Sequence, residues 1–266
     1  MRIACLVAMI ASLAASSAIA APANDPSPSE IDSIIKRFAE KESEFSRARS
    51  LYTYRQNVRV IDLGVQGREV GRWEMLSDIV FDPDGKRTER VLRAPVPTLK
   101  SFSLSPEDEQ DLRSVQPFVL TSKDIDKYHV RYLGRETLDE IGCLVFSVKP
   151  KRMEQGQRYF SGMIWVDDKD LQIVKSYGRA TGVLKKNNDQ QFPKFETYRE
   201  QIDGKYWFPT YTTANDLLYF PGGPPVGIRM TVKYEEYKQF KSDVNIKFGD
   251  VVDPPPPTPA PAKPKP

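Results

Sequence analysis

Apolar and polar positions divide the chain into a short apolar run, one helical stretch and a long succession of strands. Ile31, Ile34, Ile35, Phe38, Phe45 and Ala48 recur at the helical period, with Lys and Glu filling the opposite side. The spacing predicts one amphipathic helix of about five turns. Ser29 is its expected cap, and Asp32 at the third helical position completes a capping-box-like start.

From Leu51 the period changes to two. Tyr52, Tyr54, Gln56, Val58 and Val60 share one face, and Thr53, Arg55, Asn57 and Arg59 the other. A second run groups Trp73, Met75, Ile79 and Phe81 before the turn Asp82-Pro83-Asp84-Gly85, which predicts a hairpin into Lys86 to Arg93. At Ser105-Pro106-Glu107-Asp108 a short helix is expected, with Ser as cap and Pro in the first turn. Seven further strands follow, at Tyr128–Leu133, Leu144–Lys149, Tyr159–Val166, Leu171–Tyr177, Phe195–Ile202, Tyr206–Thr213 and Val226–Tyr237. Short turns at Asp167–Asp170 and Asp203-Gly204 force antiparallel neighbours. The fold class expected is mainly β (α+β), a strongly bent antiparallel sheet with the N-terminal helix in its concave side.

The two ends differ from this middle. Arg2, the apolar run Ile3 to Leu13 and the small residues Ala14 to Ala21 have the layout of a secretory signal peptide, with Ala18-Ile19-Ala20 as the cleavage pattern. Asp253 to Pro266 is almost entirely Pro, Ala, Thr and Lys, a composition that buries little and favours extended polyproline II. The expected division is therefore residues 1–20 signal peptide, 21–252 one domain and 253–266 a disordered proline-rich tail. Export through a cleaved signal places the mature chain in the periplasm, with no transmembrane span remaining.

Charge excludes more than it suggests. With 39 Lys and Arg against 36 Asp and Glu, the net charge of +3 gives no footprint for nucleic acid. Cys5 would leave with the signal, so Cys143 has no disulfide partner and reads as a small buried side chain. His129 is the only histidine, which argues against a nucleophile–base pair and against a zinc site; no metal, cofactor or catalytic residue is expected. The acidic pairs Asp167-Asp168 and Glu107-Asp108 sit where turns and helix starts favour acids anyway.

One feature departs from an ordinary alternating strand. In Phe160 to Val166, Met163 and Trp165 point one way while Phe160, Ile164 and Val166 point the other, which implies cover on both sides or an internal pocket. Met75, Met163 and Met230 with Trp73 and Trp165 would suit a flexible apolar ligand such as an acyl chain, or simply form a core beneath a helix.

The order of elements and several local phrases resemble the LolA/LolB/RseB superfamily of periplasmic outer-membrane lipoprotein-sorting proteins. The phrases are Tyr52-Thr53-Tyr54 after the helix, Tyr132-Leu133-Gly134-Arg135-Glu136, Tyr159 to Asp167, and Ile202 to Pro209. The resemblance spans roughly Ser29 to Phe240. It implies an incomplete β-barrel with helices as a lid over an apolar cavity, and a non-enzymatic carrier or sensor whose partners are acyl chains of lipids or lipoproteins. The cavity is then expected between helix and sheet, lined by Ile31, Ile35, Phe38, Trp73, Met75, Phe81, Met163, Trp165 and Met230. The alternative is an envelope scaffold that binds other envelope proteins through its sheet face or tail, with a filled interior and an exposed aromatic patch around Tyr206 to Tyr211.

Overall fold

A computed structural model describes residues 25–64, 67–82, 86–114, 116–183, 193–220 and 222–239. The expected signal peptide and tail, and the Pro83-Asp84-Gly85 turn, lie outside the described residues.

Helix α1 spans Pro28–Arg49. Its cap is Ser27 rather than Ser29, because Pro28 supplies a first helical residue whose missing N–H costs nothing there. Glu30, not Asp32, completes the box: its Oε2 accepts from the Ser27 amide at 2.7 Å and from the Ser27 hydroxyl at 2.6 Å.

Ten strands follow: β1 Tyr52–Leu63, β2 Glu69–Phe81, β3 Arg87–Arg93, β4 Tyr128–Leu138, β5 Ile141–Pro150, β6 Tyr159–Asp167, β7 Ile173–Thr181, β8 Phe195–Ile202, β9 Tyr206–Leu218 and β10 Val226–Gln239. A short helix α2, Pro106–Ser114, and a 3-10 turn at Ile125–Lys127 lie between β3 and β4. All ten strands pair antiparallel in one sheet, ordered β3-β2-β1-β10-β9-β8-β7-β6-β5-β4. The sheet does not close, so β3 and β4 are its edges. The β1–β10 pairing joins the first and last strands and sets Val58 opposite Val232 and Val60 opposite Met230.

Several strand boundaries differ from the sequence expectation, those of β4 and β9 the most. Tyr132 to Glu136 is not a strand exit: the register shifts between Tyr132 and Gly134, Gly134 adopts φ 136°, and β4 continues beyond this bulge to Leu138. Strand β9 likewise runs past Thr213 to Leu218, because β10 offers partners up to Val226.

One core cluster gathers Tyr54, Val58, Val60 and Ile79 from one side of the sheet with Leu144, Phe146, Ile164 and Ile173 from the other. Residues from distant strands meet in one core only if the sheet wraps around it, which defines a concave face. Helix α1 lies in that concavity, burying Phe38, Ala39 and Phe45, with the Phe38 and Phe146 rings 5.3 Å apart. It is anchored by a buried ion pair: Glu42 Oε1 lies 3.0 Å from an Arg199 guanidinium nitrogen of β8 and accepts the Ile173 amide at 3.0 Å. Arg199 also donates to the Phe118 carbonyl and lies 5.0 Å from the Phe45 ring centre. Among the described residues, no helix is long and apolar enough to cross a membrane.

Candidate functional site

The half of the concave face left uncovered by α1 is spanned by the segment between β3 and β4. This strap is fixed where it crosses β1 and β2. Asp62, at zero exposure, accepts from the amides of Lys100 and Ser101 at 2.9 and 2.8 Å and from the Ser101 hydroxyl at 2.9 Å. Beside it, the Thr98 amide donates to the Arg72 carbonyl at 2.9 Å, and the backbones approach so closely at Gly71 that a Cβ there would overlap the Thr98 carbonyl. The strap then enters α2, where Asp108 Oδ2 accepts from the Ser105 amide and hydroxyl, both at 2.8 Å. Asp111, one turn on, binds Arg158 through both carboxylate oxygens, at 3.0 and 2.6 Å. Arg158 immediately precedes β6, so α2 is tied across to the far side of the sheet.

Between strap, α2 and sheet lies a half-open cavity of about 380 Å³. Phe102 and Leu104 of the strap and Leu112 of α2 cover it; Val60, Ile228, Met230 and Leu218 form one wall, and Ala180 and Phe195 the other. Pro193 and Phe220 line it too, and Ser103, Ser105, Asp108 and Asp111 add polar groups. Gln116 lines it as well. Its backbone is held at both ends, the amide donating to the Asp111 carbonyl at 3.0 Å and the carbonyl accepting from Thr197 Oγ1 at 2.9 Å. Its side-chain Nε2 rests 3.2 Å from Met230 Sδ, and its Oε1 has no hydrogen-bond partner among the described residues.

Of the nine residues expected to line a cavity, Met230 does so. Phe38 is buried in the main core, and Ile31, Ile35, Trp73 and Phe81 pack against it. Met75 is half-buried on β2, directly opposite Val58. The space between α1 and the sheet is thus packed, and the cavity lies beside it under α2. Met163 and Trp165 belong to a separate cluster on the convex face with Cys143, Val145 and Val174, because Ile164 and Val166 take the inward positions of β6. There Trp165 Nε1 donates to Glu136 at 2.7 Å, and Lys175 Nζ sits 4.9 Å from the ring centres of both Trp165 and Tyr198.

The strap residues, Gln116 and the Pro193 and Phe220 positions escaped sequence reading because they lie outside periodic segments. Only the apolar spacing of Phe102 and Leu104 hinted that the segment before α2 faces a core.

His129 is exposed on the edge strand β4. Asp167 accepts the Lys169 amide at 2.8 Å to shape the β6–β7 turn, and Asp168 pairs with Arg135 at 3.2 Å. Among the described residues, no three His, Cys, Asp or Glu side chains cluster as metal ligands.

No protein-family model and no curated protein matches the chain. Solved structures similar to it include a DUF1329 family protein from Desulfovibrio piger, 17% identical over 80% of this chain and 94% of that one, with a TM-score of 0.42. A LolA superfamily protein from Nitrosomonas europaea is 13% identical over 79% and 93%, with a TM-score of 0.34. A chain of the Pseudomonas aeruginosa MucA/MucB complex is 11% identical over 80% and 100%, with a TM-score of 0.24.

Proposed function

We propose that the protein is an exported, non-enzymatic binding protein that shelters an apolar chain, such as an acyl chain of a lipid or lipoprotein, from water in the periplasm. The observation that carries this reading is the half-open cavity: eleven of its described lining side chains are apolar or aromatic, and they sit under a strap and helix joined to the sheet by polar ties. Affinity would come from buried alkyl surface, at about 0.8 kcal/mol per methylene. The sequence resemblance points the same way.

Uptake of the neutral dye N-phenyl-1-naphthylamine tests it, with native mass spectrometry of the purified mature protein to identify any copurified acylated species. Ala180→Phe, which fills the cavity from β7, should abolish dye uptake while far-UV circular dichroism stays unchanged. A protein that takes up no dye and carries no ligand overturns the reading.

One observation favours a second reading, an envelope scaffold. Trp207, Tyr177 and Met163 are half-buried on the convex face, and Tyr211 is exposed nearby. That reading calls for a protein that takes up no apolar ligand and a protein partner lost on Tyr211→Asp.

A further inference from the structure

We infer that the cavity selects the head of its ligand by charge and hydrogen bonding, taking a neutral amphiphile that carries a donor, such as an alkanol or a primary amide, over a carboxylate or phosphate. This rests on the carrier reading above and specifies its ligand class.

Two observations carry it. First, the described lining holds no Lys, Arg or His, while two carboxylates, Asp108 and Asp111, stand among its polar groups. Asp111 is neutralised by Arg158, whose guanidinium is spent on that bidentate pair. Asp108 uses one oxygen to cap α2. An anionic head entering here loses water, meets no cation among the described residues and faces the Asp108 carboxylate. Second, Gln116 is 5% exposed and its Oε1 lacks a partner among the described residues. An acceptor left unmatched inside a protein is costly, and a donor brought by a ligand removes that cost. The side-chain amide is restrained only by the weak contact of Nε2 with Met230 Sδ, and its terminal torsion is soft, so a small rotation turns the oxygen toward the cavity. Its backbone is pinned at both ends, which keeps the group in place.

The test is displacement of N-phenyl-1-naphthylamine from the full mature protein by ten-carbon ligands that differ only in the head. Decanol and decanamide should displace the dye at concentrations about tenfold below methyl decanoate, which accepts but cannot donate, with decanoate weakest of all. Gln116→Leu should erase the gap between decanol and methyl decanoate and leave decanoate disfavoured; Asp108→Asn, which retains the capping oxygen, should narrow the decanoate penalty. If Gln116→Leu fails to fold, the wild-type series still decides. Decanoate displacing as well as decanol overturns the charge selectivity, and methyl decanoate matching decanol overturns the Gln116 anchor; both leave the carrier reading intact. Failure of the dye itself to bind overturns the carrier reading instead.

Discussion

Glu42 and Arg199 meet at 3.0 Å with side-chain exposures of 0% and 2%, joining the middle of α1 to β8 inside the sheet's concavity. A pair this deep contributes little net attraction once both desolvation costs are counted, but removing one member strands the other. Arg199→Met should therefore destabilise the fold by about 3–5 kcal/mol. Glu42→Gln combined with Arg199→Met, which retains an acceptor for the Ile173 amide and leaves no buried charge, should recover a substantial part of that loss. Urea midpoints of the two variants check this; equal midpoints would mean the charges are not isolated from water.

The contrast between that pair and the cavity shows what the sequence could reveal. Strand β8 is recovered to the residue, since Phe195, Thr197 and Arg199 alternate inward with polar neighbours. The same alternation makes Arg199 an inward position, yet charge alone reads as solvent-facing, and the partner that explains it lies 157 residues away. The faces of β6 were separable by period two, but period cannot say which face is concave. Met163 and Trp165 therefore joined the inward residues of other strands only on paper. The cavity itself depends on how the strap crosses Gly71 and Asp62, a long-range arrangement that no local pattern encodes.

Alkaline pH should unfold the protein earlier than exposed tyrosines would suggest. Burial, helped by hydrogen bonds to Asp203 and Asp25, pushes the Tyr52 and Tyr132 phenols up to about 12. Burial raises Tyr234 and Tyr237 as well. The folded state thus favours the neutral phenol. That stability is fully present below the ordinary tyrosine value near 10 and is lost as pH rises from there through about 12. Absorbance at 295 nm should show part of the tyrosine signal delayed, then released in a step that coincides with loss of far-UV circular dichroism. A single smooth titration near pH 10 with the fold intact would contradict it.

Cys143 should be inert. Its thiol is pushed up to about 11, by burial first and by the neighbouring Asp167 carboxylate second, so almost no thiolate exists at pH 8. Iodoacetamide at pH 8 should leave the Cys143 peptide unmodified in the native protein and alkylate it fully in urea, as read by mass spectrometry. Rapid native modification would mean that the convex cluster opens.

The strap should be the most easily released part of the site, and Asp62 controls it. Three of its hydrogen bonds go to Lys100 and Ser101, so Asp62→Ala leaves two amides and a hydroxyl seeking partners. The expected loss is about 1–3 kcal/mol for each donor that stays buried and unpaired, and the cheaper response is for the strap to lift and let water in. Lys100 is exposed and lies at the tied point, which makes trypsin a direct reporter. Asp62→Ala should accelerate cleavage after Lys100 at least tenfold, while Asp62→Asn, which keeps one acceptor, should fall between it and wild type. Phe102 and Leu104 leave the cavity with the strap, so dye affinity should drop in the same order. Faster cleavage with unchanged dye affinity would place the bound chain away from these two side chains; unchanged cleavage would mean that the Gly71–Thr98 contact alone holds the strap down.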